Sequence, residues 1–321
     1  MLRVVMMGAG TFAEPTLEGL LARPGLVVGL VTQPDRAVGA QRGSTRQVGL
    51  GMKEIAQSAG VPLFQPESIN TPEGVAKLTE WQPDLLVVAA YGQILSKDVL
   101  SVPRLGGINV HASLLPKYRG AAPIAWAIYH GETKTGVTII RMTTGLDAGE
   151  MLAQETIDIL PEETAGELEA RLAPRGAKLA LEVVERVQVG PVSGIPQDKS
   201  QVTKAPKLKK EDGLIDWTKS AEQVCRQIRA VQPWPTAYTF LHRQGKSAQR
   251  IIINRAAVAK EAGSGTAIPG QVAESDRLVV YVGQGMVEIR ELQPAGKKRM
   301  AAEEFLRGHA PKAGDYFGPE S

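Results

Sequence analysis

The densest polar run in the sequence is Asn109-Val110-His111-Ala112-Ser113-Leu114-Leu115-Pro116-Lys117-Tyr118-Arg119-Gly120. Asn109 and His111 stand two apart, and on a strand residues at that spacing point to the same side. The apolar pattern predicts a strand over 106–111. Both residues then lie near its C-terminal end, where open α/β sheets place ligands. Asp147 sits in the loop 143–149, just after a second predicted strand over 137–142, and is expected to approach from a neighbouring strand end. An amide, an imidazole and a carboxylate together suit acyl transfer. The amide N–H steadies a developing oxyanion, the imidazole handles a proton, and the carboxylate orients the imidazole. No Ser or Cys stands in a nucleophile elbow nearby, so direct attack by a substrate nucleophile fits better than an acyl-enzyme. A lone histidine reads most simply as a satisfied core residue; this cluster does not.

A second motif is Gly8-Ala9-Gly10-Thr11-Phe12-Ala13, which fits G-x-G-x-x-A after the first predicted strand. Such a turn can cradle a pyrophosphate, and Asp35 after the next strand could hold a ribose hydroxyl. Pro15, early in the following helix, and Pro34, beside the acid, count against that use. A tight βα turn is the simpler reading. Residues 36–53 carry Arg36, Arg42, Arg46 and Lys53 with no acidic residue. They read as a positive surface loop, which is either simply solvated or a collector of phosphates.

These groups need a scaffold, and the hydrophobic pattern supplies one. Apolar runs at 2–7, 26–32, 61–64, 85–90, 106–111 and 137–142 read as strands. Helical spacing at 16–21, 53–59, 71–81 and 123–131 falls between them. This alternation implies βαβ units and a Rossmann-like α/β domain with a parallel sheet covered on both faces. Residues 163–189 look helical, with Pro174 expected to kink or split them. Residues 191–206, rich in Pro and Gly and without periodicity, read as a linker. Beyond it a helix over 221–231 is followed by short β-like runs at 251–254, 271–273, 277–282 and 286–292, which suggest a small β-barrel.

Composition bounds the class. The chain has 321 residues, 43% hydrophobic and 22% charged, as a globular protein of about two domains would. The single Cys225 excludes an intramolecular disulfide and a cysteine-rich metal site. The apolar runs are too short to span a bilayer and no signal peptide is read, so a cytoplasmic address with no membrane contact is expected. From Lys204 onward the chain holds 19 of its 37 Lys and Arg but only 13 of its 34 Asp and Glu, a hint of a polyanionic partner.

At Asn109–Pro116 and Tyr118-Arg119-Gly120-Ala121-Ala122-Pro123 the sequence resembles the methionyl-tRNA formyltransferases. Gly136-Val137-Thr138 and Gly145-Leu146-Asp147-Ala148-Gly149 are similar to that family's second active-site segment. Ala89-Ala90-Tyr91-Gly92-Gln93-Ile94-Leu95 and Gln33-Pro34-Asp35-Arg36 match further stretches. In the C-terminal third, Ala205-Pro206-Lys207, Ile215-Asp216-Trp217, Pro233-Trp234-Pro235 and Gly296-Lys297-Lys298-Arg299-Met300 resemble the family's OB-like tRNA-binding domain. The turn at 8–15, the basic loop after Asp35 and Trp126 depart from the family's usual residues.

The resemblance implies formyl transfer from 10-formyltetrahydrofolate to the α-amino group of methionine on initiator tRNA. Asn109, His111 and Asp147 would be catalytic. Tyr91, Gly92, Gln93, Ile94, Leu95, Ser113, Leu114, Leu115, Pro116 and Gly145 would line the folate pocket. Arg36, Arg42, Arg46, Lys207, Lys209, Lys210, Lys297, Lys298 and Arg299 would contact tRNA phosphates. It implies a catalytic domain over 1–190, a linker over 191–206 and an acceptor-binding domain over 207–315, in a monomer that needs no metal. A sugar-nucleotide formyltransferase would share the catalytic core. An NAD-dependent oxidoreductase would use the 8–13 turn, and a non-catalytic RNA-binding module would leave the cluster around His111 unexplained.

Overall fold

Buried aliphatic runs set the first sheet. The computed structural model describes residues 1–35, 51–260, 268–309, 311 and 314–320. They separate into two units. One comprises Met1–Ile124, Lys134–Ile159 and Gly166–Lys207; the other comprises Ala125–Thr133, Leu160–Ala165 and Leu208–Ser321.

The first unit runs β1 (Val4–Gly8), α1 (Glu14–Leu21), β2 (Val27–Val31), α2 (Gly51–Ser58), β3 (Leu63–Phe64), α3 (Pro72–Trp81), β4 (Leu85–Ala89), α4 (Lys97–Ser101) and β5 (Gly107–His111). Next come β6 (Arg119–Gly120), α5 (Pro123–His130), which from Ala125 onward belongs to the other unit, β7 (Lys134–Arg141), β8 (Met151–Asp158), α6 (Ala165–Val189) and β9 (Lys204–Ala205). Every residue of β1 and β4 is buried, as strands covered on both faces require. The helices start and stop on local chemistry. At α3, the Thr71 hydroxyl accepts the Gly74 N–H at 3.1 Å, Pro72 opens the helix, and Gln82 closes it in the left-handed region.

Among the described residues seven strands form one sheet in the order β3-β2-β1-β4-β5-β7-β8. The first five are parallel, as the alternation predicts. β7 and β8 are not part of that scheme: β7 runs antiparallel to β5, and β8, which the pattern missed, runs antiparallel to β7. For β8 the reason is connection length. Only the short turn 142–150 separates β7 from β8, and parallel neighbours need a crossover of a dozen residues or more. Pro174 does not split its helix: α6 runs unbroken over Ala165–Val189. The stretch expected as a linker is paired along its length. Ile195 forms a bridge with Met151, and β9 pairs in parallel with β6. Among the described residues no helix is long and apolar enough to cross a membrane.

In the second unit α7 (Ala221–Ala230) is followed by β10 (Ala237–His242), β11 (Gln249–Val258), β12 (Val279–Tyr281), β13 (Met286–Pro294), β14 (Met300–Ala301), α8 (Ala302–His309) and β15 (Tyr316–Gly318). Its antiparallel sheet has the order β12-β13-β11-β10-β15, with β14 on β13. The segment 270–273 closes the sheet into a barrel by pairing with both edges. Phe317 N–H donates to Gly270, and Tyr281 N–H donates to Gln271. Gly270 is required there, since its φ is 93° and a Cβ would lie 2.0 Å from the Phe317 carbonyl oxygen. α7 buries Val224 and Ile228 in the same core as Ile251, Leu292 and Phe317. Each such side chain contributes about 1.5–3 kcal/mol.

One buried acid near the first turn carries a stability prediction. Burial raises the Glu169 carboxyl above its ordinary value of 4.5, against the opposing hydrogen bond from Thr11. Ionising it therefore costs more in the folded protein than in the unfolded chain. Its contribution is full below the unfolded value and is lost as pH rises through the folded one. Glu169→Gln keeps an acceptor for Thr11 and should raise the unfolding temperature at about pH 8, with the gain vanishing toward about pH 4. A gain that is the same across a melting series over that range would contradict the assignment.

Candidate active site

β5 ends on the two residues that the spacing singled out. Asn109 is half-buried and His111 is 4% exposed. Their strand is flanked by β4 and β7, with Asn109 opposite Val88 and Ile140, and His111 opposite Thr138. The chain then turns through a loop stitched to β7 and β8. The Thr138 hydroxyl donates to the Ser113 carbonyl at 2.7 Å and accepts from Leu115 N–H at 3.2 Å and from Gln154 Nε2 at 2.9 Å. That uses its one donor and both acceptor positions. Gln154 also donates to the Leu115 carbonyl at 3.1 Å. The Ser113 hydroxyl donates to the Lys117 carbonyl at 2.7 Å, so it is a loop fastener and not a free nucleophile.

Asp147 closes the cluster. Its Oδ2 accepts the Gly120 N–H at 2.8 Å and lies 3.6 Å from His111 Nδ1, with both side chains largely buried. Its Oδ1 is 3.4 Å from Asn109 Nδ2, the donor. Nε2 of His111 lies 2.9 Å from the Tyr118 carbonyl oxygen. A carbonyl only accepts, so the Nε2 hydrogen is present and donates. The ring is thus held at Nε2, with Nδ1 on the side of the carboxylate. Asn109 has two amide hydrogens and spends one on a long contact, which leaves a donor for a ligand oxygen.

Asp147 has a φ of 46°, in the left-handed region that an aspartate enters more readily than most non-glycine residues but that is still uncommon. Gly120 is equally constrained. Its φ is 127°, and a Cβ would come within 2.4 Å of the Ala205 carbonyl oxygen. That close approach to β9 is what aims the Gly120 N–H at Asp147.

The residues expected to line a folate pocket divide by burial. Tyr91 and Leu95 belong to the hydrophobic core with Met7, Leu86 and Val88. The Tyr91 hydroxyl is buried without a partner, and burial pushes it up to about 12. Gln93 is engaged by the 67–69 backbone: it accepts from Ile69 N–H at 3.1 Å and donates to the Glu67 carbonyl at 2.9 Å. Ser113 and Leu115 are buried and Leu114 and Pro116 half-buried, while Gly92, Ile94 and Gly145 are exposed. Lys207, Lys209, Lys210, Lys297, Lys298 and Arg299 are all exposed, although Arg299 forms an ion pair with Glu291. Arg36, Arg42 and Arg46 lie outside the described residues.

The first turn is a poor dinucleotide site. Thr11 Oγ1 donates to the Glu169 carboxylate at 2.7 Å, and Glu14, also raised by burial, opens α1. Acids therefore stand where a pyrophosphate would need donors. Asp35 is bound by Lys53 and by Gln65 Nε2, the latter at 3.0 Å, and the Lys53 ammonium holds it below the usual carboxylate range.

Sequence reasoning missed four participants: the Gly120 N–H, Arg119, Thr203 and Gln197. Tyr118 N–H donates to Thr203 Oγ1 at 2.8 Å, and Gln197 binds the backbone on both sides of Ala148. Thr203 and Gln197 lie in the stretch read as a linker, where no periodicity or local motif marks them.

Comparison with known proteins gives concordant matches. A family model described as formyl transferase covers residues 2–184, and one described as formyl transferase, C-terminal domain, covers residues 207–310. A methionyl-tRNA formyltransferase of Geobacter metallireducens is 44% identical over 309 residues, 96% of each chain. That of Bacillus subtilis is 42% identical over 321 residues, 99% of this chain and 98% of the relative. Among solved structures, an N-formyltransferase from Helicobacter canadensis in complex with folinic acid and dTDP-3-aminofucose has a TM-score of 0.67 at 16% identity, covering 90% of this chain and 99% of that one. HypX from Aquifex aeolicus, in complex with tetrahydrofolic acid, has a TM-score of 0.62 at 17% identity, covering 95% and 47%. At such identities the structural likeness concerns the fold alone.

Proposed function

The chain belongs to the methionyl-tRNA formyltransferase family, and from that premise we propose that it transfers the formyl group of 10-formyltetrahydrofolate to the α-amino group of methionyl initiator tRNA. The observation that carries the chemistry is the convergence of Asn109, His111 and Asp147 at the end of β5. As the amine adds to the formyl carbon, the carbonyl oxygen gains negative charge. The free hydrogen of Asn109 Nδ2 stands ready to stabilise it, as an oxyanion donor does, while the Nε2 hydrogen of His111 is already given to the Tyr118 carbonyl. The new C–N bond forms in this addition, and the bond to the folate nitrogen breaks when the tetrahedral oxyanion collapses back to a carbonyl. The proton lost by the amine ends on that nitrogen, with His111 as the group that can relay it. Asp147 keeps the ring oriented by facing Nδ1 while Tyr118 fixes Nε2.

In this reading residues 1–190 do the chemistry and residues 207–315 bind the acceptor. The exposed Gly92, Ile94 and Gly145 and the half-buried Leu114 and Pro116 offer the surface for a folate. Lys207, Lys209, Lys210, Lys297 and Lys298 supply phosphate contacts, with Arg36, Arg42 and Arg46 as further candidates. The protein would act as a cytoplasmic monomer without a metal. A sugar-nucleotide acceptor would use the same core. The tRNA reading is preferred because relatives at 42–44% identity, matched over almost their full length, carry that activity in their names.

The deciding experiment mixes purified protein with 10-formyltetrahydrofolate and either methionyl initiator or methionyl elongator tRNA. Formylation of the initiator species alone is expected. Formylation of neither, with slow hydrolysis of the donor, would move the acceptor to a sugar nucleotide or to water. Affinity for the tRNA should fall by about 0.7–0.9 log units per log unit of salt for each phosphate neutralised. A flat salt response would mean that the basic surface takes no part in binding.

A further inference from the structure

The left-handed backbone of Asp147 is fastened from elsewhere in the chain, and the hydrogen bonds identify by what. Gln197 Nε2 donates to the Asp147 carbonyl at 2.7 Å and to the Gly149 carbonyl at 2.8 Å. Gln197 Oε1 accepts from Arg119 Nε at 3.0 Å and Nη2 at 2.8 Å. Two donors and two acceptor positions are thus all used. Carbonyls only accept and a guanidinium only donates, so the amide has one allowed orientation. Arg119 precedes Gly120, whose N–H donates to Asp147 Oδ2. The contacts close a ring: Gly120 to the Asp147 carboxylate, Gln197 to the Asp147 backbone, Arg119 to Gln197. The loop beyond is equally confined, since a Cβ on Gly149 would lie 1.7 Å from the Arg141 carbonyl oxygen.

We propose that Gln197, clamped by Arg119, is a positioning residue for the reaction: it holds the backbone of Asp147 so that the carboxylate faces His111. This rests on the catalytic reading given above for Asn109, His111 and Asp147. Gln197 touches neither the imidazole nor the carboxylate. Its effect passes through the backbone of residues 147–149. It follows that the segment 191–206 carries part of the catalytic apparatus.

Gln197→Glu is the discriminating substitution. It keeps the length of the side chain and strengthens the pairing with Arg119. It also removes both donors and sets an anionic oxygen against two carbonyl oxygens. If Gln197 merely anchored Arg119, this variant would behave like wild type. A positioning role predicts a kcat lower by about 10- to 100-fold, the scale of a catalytic group displaced by about 1 Å. The KM for the formyl donor should stay within about twofold, because binding is not what is lost. Gln197→Met, which removes donors and acceptor alike, should match it in kcat.

Amide hydrogen exchange of the whole protein gives a readout that needs no acceptor. Gly120 should exchange at least about tenfold faster in Gln197→Glu, because its acceptor is displaced, while the Val110 and Ile139 amides in the sheet stay unchanged. Wild-type kcat in Gln197→Glu, or wild-type exchange at Gly120, would overturn the proposal. Faster exchange throughout the sheet would do the same, because it would mark a general loss of fold. A wild-type protein that fails to formylate the tRNA would refute the acceptor reading, and the exchange measurement would still decide the role of Gln197.

Discussion

Alanine at Asn109 or at His111 lowers kcat for formyl transfer by about 100- to 1000-fold, the scale of losing an oxyanion donor in the first case and a proton-transfer group in the second. The two variants should differ in stability. Asn109 is half-buried and makes one long contact, so its loss should leave the unfolding temperature nearly unchanged. His111 is buried, and its removal takes away the buried hydrogen bond from Nε2 to the Tyr118 carbonyl, at about 1–3 kcal/mol. His111→Gln therefore belongs in the series: its amide can donate to that carbonyl while lacking the ring that faces Asp147. If His111→Gln is folded and inactive, chemistry and not folding accounts for the loss. Turnover near wild type in Asn109→Ala or in folded His111→Gln would remove these residues from the mechanism. Single-turnover rates with saturating tRNA separate a slow chemical step from weak binding.

The second large effect is expected from Asp147→Asn, and it follows from the contacts of the two carboxylate oxygens. Oδ2 accepts the Gly120 N–H and faces His111 Nδ1, so the amide oxygen of the variant must take that place. The new NH2 then occupies the place of Oδ1 and confronts the Asn109 Nδ2 donor at 3.4 Å. One substitution removes the charge beside His111 and turns Asn109 away from its position. In a serine-protease triad the comparable change costs about 10⁴-fold in kcat, with the geometry kept. Here the expected loss is at least that of the alanine variants, about 10²–10³-fold, with Asn109→Ala adding little in the double mutant. Fully additive losses would mean that Asp147 and Asn109 do not act as a unit.

Much of this was legible along the chain. The period-two spacing of Asn109 and His111 on an apolar strand placed both on one side, and in the structure both meet the one Asp147 carboxylate. The strands β1 and β4 announced themselves as uninterrupted apolar runs. β8 did not. Only Leu152 and Ile157 are buried among its residues Met151–Asp158, which include Gln154, Glu155 and Asp158, so no apolar run marks it. Pro174 reads as a helix breaker, yet α6 passes through it, because packing of a long amphipathic face outweighs one lost hydrogen bond.

By itself the sequence determined which side chains could do chemistry, which strand carries two of them, and that a barrel-like second unit follows. Those properties are written in neighbours two to four residues apart. The tertiary structure alone decided how Asp147 is aimed. The Gly120 N–H comes from 27 residues away, Gln197 from 50, and the Arg119 that orients Gln197 from 78 residues away in sequence from it. A hydrogen bond across such distances leaves no periodicity and no motif in the chain. It exists only once the sheet has brought β5, the 143–149 loop and the 191–206 segment together. The left-handed φ of Asp147, which an aspartate tolerates better than most residues, is fastened by the same closure.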